Sequence, residues 1–357
     1  MSQNSSSTID TVQQLPGWYC EDIRLYTHYL QIMADKSYWL DDRVVFANPS
    51  NKFHRDSNHT YFLFKPATLF YNSFSNNRND GRGPLLPGPL VDGSDAAIRE
   101  CVCELKEFYQ KLELSPRCIL DLTFSPSDLI EKTANALTAF GFNVDRGIDS
   151  TVMMLETNQA ATDDLHNRFG NIQTKDNLTI SLADWDDLES MVNVNAKGFQ
   201  YKPGETEWLS TKLGRQISDS QSHHQIFVAK VPKADIFPKK STASGEDVDD
   251  ETKYEVEKDH SPSSSSSEDE DTNQEVTSFL VCFKSHPEAD TMLVQLLVTD
   301  PDFQRRGHAT ALMLEAIEAQ PKNTRIYLEV VEDKAMRLYS SLGFKEVGTL
   351  RLYECWI

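Results

Sequence analysis

The sequence is short of several things, and each shortage excludes something. Six cysteines in 357 residues are too few for a disulfide framework, and no pair of Cys-x-x-Cys motifs is there to build a structural zinc site. Cys101 and Cys103, two apart, would leave a helix on different sides. The cysteines therefore read as reduced core residues of a cytosolic-type compartment, and no metal is expected. Basic charge is scarce too: 35 Lys and Arg stand against 55 Asp and Glu, a net of −20. Neutralising nucleic-acid phosphates takes clustered cations, so nucleic acid is not the expected partner. No run of 18 consecutive apolar residues occurs, which argues against a membrane span. The start, MSQNSSSTIDTVQQ, has neither the basic nor the apolar stretch of a secretory signal. The expectation is a soluble protein of the cytoplasm or nucleus.

What is present suffices for folding. Hydrophobic residues make up 39% and aromatics 10%, and the length corresponds to about two domains. One stretch departs from this composition. Residues 232–276 hold five lysines against fourteen carboxylates, a net of −9, with only Phe237 and Tyr254 as aromatics. Such a segment cannot bury enough apolar surface to offset its ordering entropy, so an acidic, Ser-rich disordered insertion is expected there. A weaker break, NQAATDDLHNRFGNIQTKDN at 158–177, reads as a linker. The resulting map is a tail (1–14), an N-terminal α/β module (15–157), the linker, and a C-terminal module (178–357) carrying the insertion.

The C-terminal module alternates strands and helices. Strand patterns cover 178–181, 225–229 and 277–283, and helical spacing covers 184–195 and 205–217. Residues 291–299 are apolar on both faces, as a central strand would be, with Met292, Val294, Leu296 and Val298 on one side and Leu293, Gln295 and Leu297 on the other. Directly after it come Gln304-Arg305-Arg306-Gly307-His308-Ala309-Thr310 and a helix whose stripe is Ala309, Leu312, Met313, Ala316 and Ile317. A glycine turn opening a helix offers unpaired N–H groups, a positive dipole end and close backbone approach, which together suit a diphosphate. Arg305 and Arg306 add charge at the rim. Downstream, 326–330 is strand-like, Ala335, Leu338, Tyr339 and Leu342 form a helical stripe ending at Gly343-Phe344, and 345–349 and 350–356 read as a final pair of strands.

Gln304-x-x-Gly307-x-Ala309 followed by Ala335-x-x-Leu338-Tyr339-x-x-x-Gly343-Phe344 resembles the two signature motifs of the GNAT superfamily of N-acetyltransferases. The resemblance covers about 178–357. It implies a mixed α/β, acyl-CoA-binding fold with acetyl-CoA as co-substrate and no metal. It further implies that the amides of Gln304 through Thr310 bind the CoA pyrophosphate, and that the strand end at Leu297, Val298 and Thr299 bonds the pantetheine arm. Tyr339 then protonates the leaving thiolate, and Phe199 and Tyr201 lie in the region that lines the acceptor site. One departure stands out: where the family commonly has Asn, three residues before Ala335, this chain has Glu332.

The N-terminal module echoes this pattern. Residues 118–122 are strand-like, 129–140 are helical and end in Gly141-Phe142, and 151–155 are strand-like. Residues 61–74 read as a strand and 96–112 as a helix, but 76–93, rich in Gly and Pro, holds no Gln-x-x-Gly-x-Ala turn. This suggests a degenerate second module of the same kind, with an unrelated α/β module as the alternative.

The reaction so implied is direct attack of a primary amine on the thioester in a ternary complex, with positioning and carbonyl polarisation as the main catalytic terms. A protonated amine needs a base, for which Glu329 on the neighbouring strand is one candidate and Asp300 another. The expected partner is an amine-bearing small molecule or protein, and the expected assembly a monomer of two packed modules. The other reading is a non-catalytic acyl-CoA-binding or protein-interaction protein with the same fold. His223-His224, an adjacent pair before a strand, would point opposite ways and make a poor chelate.

Overall fold

The computed structural model describes residues 29, 33–39, 43–52, 58–62, 94–123, 127–144, 149–169, 176–201, 206–219, 223–233 and 274–355. The N-terminal tail, the stretch 76–93 and most of the acidic insertion lie outside the described residues.

Among the described residues, twelve strands share one mixed sheet. In chain order they are β1 (Lys36–Trp39), β2 (Arg43–Ala47), β3 (His59–Phe62), β4 (Arg117–Asp121), β5 (Asn143–Val144), β6 (Ser150–Glu156), β7 (Thr179–Leu182), β8 (His224–Pro232), β9 (Gln274–Phe283), β10 (Thr291–Thr299), β11 (Arg325–Val330) and β12 (Lys345–Glu354). Their spatial order is β1-β2-β3-β4-β12-β6-β11-β10-β9-β8-β7, with β5 beside β12. Among the described residues the helices with defined bounds are α1 (Asp95–Lys111), α2 (Ser127–Ala139), α3 (Gln159–Phe169), α4 (Leu188–Phe199), α5 (Thr206–Ser218), α6 (His308–Glu318) and α7 (Asp333–Ser341).

The order reads alike from both ends. β1, β2 and β3 pair antiparallel and β3 pairs parallel with β4. β8, β9 and β10 do the same, and β10 pairs parallel with β11. Each module then gives its last strand to the other: β12 lies against β4, β6 lies against β11, and β6 and β12 pair with each other in the middle. The echo in the N-terminal half is thus a real repeat of topology, and the two modules are joined by exchanged strands. The sheet itself does not divide between the two modules.

Side chains alternate between two layers. One face holds α3, α6 and α7 over Met292, Ile326, Leu328 and Met153, and α1 and α2 over Cys118, Leu120 and Tyr353. The other carries α4 and α5 over Ile226, Phe279, Val281 and Val298, with Tyr29 and Met33 over the centre. Fully buried aromatics such as Tyr327, Phe279 and Phe283 fill the layers, and burying a residue of that size contributes about 1.5–3 kcal/mol.

Four expectations change. The stretch 158–177 contains α3, whose Leu165 is buried in the core beside α7. The two final strands are one, β12, with an irregularity between Glu346 and Gly348. The β8–β9 ladder runs on to Pro232 opposite Gln274, so the acidic insertion does connect the two strands of a hairpin, as its place between two strand patterns implies, but its edges are ordered strand. Finally, the alternation in β10 breaks: its register with β9 shifts between Val294 and Leu296. Met292 and Val294 face the α6 layer, whereas Leu296 and Val298 face the α4 layer. An extra residue in a strand does this, because every side chain beyond it changes face.

Candidate functional site

The bulge in β10 sits where the sheet opens. β10 and β11 pair in parallel from Thr291 opposite Arg325 to Val294 opposite Leu328, and the ladder stops there. β10 continues to Thr299 on the β9 side alone, through Val298 opposite Phe279 and Thr299 opposite Ser278. A backbone edge at Gln295–Thr299 therefore faces a wedge whose other side is Glu329 and Val330. Backbone groups there need outside partners, and an extended amide-bearing chain could supply them. Gln216 of α5, fully buried, donates Nε2–H to the bulge residue's Gln295 Oε1 at 2.7 Å and fixes the bulge from the α4 layer.

The end of β10 is pinned on several sides. Ser278 donates its hydroxyl to the Val298 carbonyl at 2.7 Å and lies 2.8 Å from Thr299 Oγ1. Buried Asp300 accepts from Asp302 N–H at 3.0 Å and pairs with Lys197 Nζ of α4 at 2.7 Å, a hydrogen bond that raises the Lys197 pKa. Next along α4, Gly198 lies so close that a Cβ there would overlap Val298 Cγ2. This contact sets Phe199 and Tyr201 beside the strand end. Phe199 is 44% exposed, and its ring lies 6.0 Å from Tyr201, which meets Trp208 edge-on at 5.5 Å.

After a single 3-10 turn, Pro301–Phe303, the chain enters the turn that the sequence singled out. Arg305 has φ +61° and Gly307 φ +95°, two left-handed residues that wrap the backbone around the end of α6. Gly307 is the N-cap, and the first helical bond runs from Ala311 N–H to its carbonyl at 2.9 Å. The amides of Gly307, His308, Ala309 and Thr310 thus point out of the helix end, the arrangement that attracts an anion. Gln304 and Arg305 are exposed, and Ala309 and Thr310 half-buried.

Arg306 and His308 turn the other way. Arg306 donates to Asp176 Oδ1 at 3.1 Å and to the Asp302 carbonyl at 2.9 Å, with its guanidinium 4.8 Å from the Phe303 ring. His308 is buried, with Nε2 2.9 Å from Asp176 Oδ2 and Nδ1 2.9 Å from Thr277 Oγ1. Burial holds its pKa below the usual histidine value, against the pull of Asp176. The Arg306 guanidinium is thus engaged by Asp176 and the Asp302 carbonyl, and buried His308 offers the helix end only its backbone amide.

Tyr339, on α7, is 7% exposed and meets Phe344 edge-on at 5.8 Å. Burial, reinforced by Cys282, pushes its phenol up to about 12, so it holds its proton at neutral pH. Glu329 is exposed on β11 at the wedge, opposite Val152 of β6. Glu332 caps α7 without a side-chain hydrogen bond. The structure thus gathers Leu297–Thr299, the turn and Glu329 around one wedge, with Tyr339 in the core of the α6–α7 layer and Phe199 and Tyr201 on the opposite layer. Reading the sequence missed Asp176, Thr277, Lys197, Gly198 and Gln216, which belong to no motif. Among the described residues, no three His, Cys, Asp or Glu gather as a metal site, and no helix is long and apolar enough to cross a membrane.

Residues 268–346 match the acetyltransferase (GNAT) domain family. No curated protein matches the chain in sequence. Among solved structures, a conserved protein of unknown function from Staphylococcus epidermidis superposes with a TM-score of 0.52 at 11% identity, over 88% of this chain and 91% of that one. A GCN5-related N-acetyltransferase from Kribbella flavida gives 0.50 at 10% identity, over 93% and 94%. At such identities the likeness is one of fold, and it extends over both modules.

Proposed function

We propose that the C-terminal module binds acetyl-CoA and transfers its acetyl group to a primary amine by direct attack in a ternary complex. One observation carries the reading: a strand wedge, whose β10 edge pairs with no strand among the described residues, opens beside a left-handed turn whose four amides crown α6. The wedge suits the amide-bearing pantetheine arm and the turn suits the diphosphate, so the thioester comes to lie at the bulge, between the two layers. The amides of Gly307 through Thr310 would hold the diphosphate, with exposed Arg305 as the nearer cation. Leu297–Thr299 would hold the arm. Donors fixed before the reaction need no reorganisation during it, so positioning and polarisation supply the main catalytic effect.

The acceptor would approach from the α4 layer, past Phe199 and Tyr201. Glu329, at the mouth of the wedge, would take the proton of the incoming amine, directly or through water. Tyr339, protonated at neutral pH, would return one to the thiolate. A net charge of −20 favours a cationic acceptor, whether a small amine or a lysine-bearing protein. No covalent intermediate on the protein is required.

Calorimetric titration of acetyl-CoA into the wild type and a Gly307→Asp variant tests the reading. Aspartate puts a side chain at φ +95° and a negative charge where the diphosphate is placed. The expected result is binding by the wild type and none by a still-folded variant. A wild type that takes up no acetyl-CoA would overturn the proposal.

A further inference from the structure

The turn assigned to the diphosphate is fastened by a residue outside both motifs. Asp176 lies in the segment between α3 and β7, where the chain passes from one module to the other. Its two carboxylate oxygens serve two residues of the turn: Oδ1 takes Arg306 at 3.1 Å and Oδ2 takes His308 at 2.9 Å. These two flank Gly307, whose φ of +95° sets the direction of the helix-end amides. A carboxylate only accepts, so His308 presents Nε2–H to it, and its Nδ1 lies 2.9 Å from Thr277 Oγ1, whose hydroxyl also reaches the Ala229 carbonyl at 3.2 Å. Thr277 in turn receives Asp300 N–H on its carbonyl at 2.8 Å. The side chains on both sides of Gly307 are thereby tied to the connector, and that of His308 to β9 as well.

We propose that Asp176 is a positioning residue for cofactor binding: through Arg306 and His308 it holds the turn in the shape that aims its amides at the diphosphate. The inference rests on the acyl-CoA reading above. It assigns Arg306 a role in shaping the turn, since Asp176, the Asp302 carbonyl and the Phe303 ring engage its guanidinium. It also makes the inter-module connector part of the cofactor site. Upstream of Asp176, α3 reaches α7, where Arg168 donates to the Ser341 carbonyl and Leu165 shares a core with Tyr339. The connector thus touches both helices that follow the wedge strands.

The test is a double-mutant cycle in the full chain, read by calorimetry with CoA as the probe: wild type, Asp176→Ala, Arg306→Ala and the double variant. Loss of hydrogen bonds to a charged group gives an expected weakening of about tenfold for each single variant. The double variant should be no weaker than the weaker single within about twofold, because both changes break one contact. Asp176→Asn keeps one acceptor oxygen and should fall between wild type and Asp176→Ala. Phosphorus NMR of saturated complexes supplies a readout that lost stability alone would not move: the bound diphosphate resonances should shift in Asp176→Ala. Equal or tighter binding by Asp176→Ala, losses that multiply in the double variant, or unmoved resonances would each overturn the inference. Should Asp176→Ala fail to fold, the same cycle runs with Asp176→Asn. A wild type that binds no CoA overturns the acyl-CoA reading and takes this inference with it, whereas a binding wild type with an indifferent Asp176 removes only the latter.

Discussion

His223 and His224 share one carboxylate. Their Nδ1 atoms lie 3.1 and 2.8 Å from the two oxygens of Asp219. An adjacent pair within a strand would point opposite ways, but β8 begins only at His224, and His223 belongs to the turn before it. A residue pair is legible only as far as the element boundary beneath it is, and boundaries are the weakest part of a pattern reading. His224 is fully buried between Tyr29 and Phe283, and its Nε2 has no partner among the described residues. Protonating it would bury a charge and an unanswered N–H. Burial accordingly holds the His224 pKa below the ordinary value, as it does for His308. The linkage follows in sign. Above about pH 6.5 both folded and unfolded forms are neutral and full stability is present; below it the unfolded chain takes up protons that the folded one refuses. Asp219, held low by its two histidines although burial opposes this, does not begin to titrate until lower pH. The urea midpoint should therefore be level from pH 8 to about 6.5 and fall towards pH 5, with a shallower fall in His224→Asn. A level midpoint down to pH 5 would show that neither histidine is held neutral by the fold.

At the scale of elements, the motif-bearing pieces were the most legible. The stripe from Ala309 to Ile317, the apolar run of β10 and the Gly343-Phe344 stop each became the element expected, because each is a long periodic signal with a terminator. Two features escaped. The polar stretch 158–177 hides α3, whose buried Leu165 gives too narrow a stripe to betray a helix. The bulge in β10 leaves no mark on composition, since both faces of that strand are apolar anyway. Its consequence appears only in packing, where Val298 is turned towards α4 and meets Gly198. Gly198→Ala is therefore expected to destabilise the protein by about 1–3 kcal/mol, the usual cost of overpacking a tight contact. Because the displaced group ends the wedge strand, acetyl-CoA affinity should fall as well. Urea unfolding gives the first quantity and calorimetry the second. A variant as stable as the wild type would mean that Val298 can rotate away, and that the close approach of α4 is incidental.

The whole molecule is more than the sum of two readable halves. The repeat was visible as an echo: strand, helix, Gly-Phe and strand in both modules. The exchange of last strands was not, because β6 and β12 would look the same in sequence whether they closed their own module or the other. In the structure β12 is antiparallel to both β4 and β6, and β6 to both β11 and β12. An isolated 178–357 fragment would lose every strand partner of β12 and the outer partner of β11, uncovering Tyr327 and Leu350, which are 0% and 5% exposed in the intact chain. Open edges of that kind seek another chain. Here a fitting one is available: β12 of a second copy occupies the same place in the repeat as β6. Two fragments can rebuild the central four strands as β11-β12-β12-β11 around a two-fold axis, which is an isologous contact. The fragment should therefore elute as a dimer by light scattering, with a melting temperature that rises with concentration. Adding separately expressed 1–177 should convert it into a one-to-one complex. A monomeric fragment with a sharp, concentration-independent transition would show instead that β12 can swing onto β11 of its own module, and that strand exchange is a choice the full chain makes rather than one its halves require.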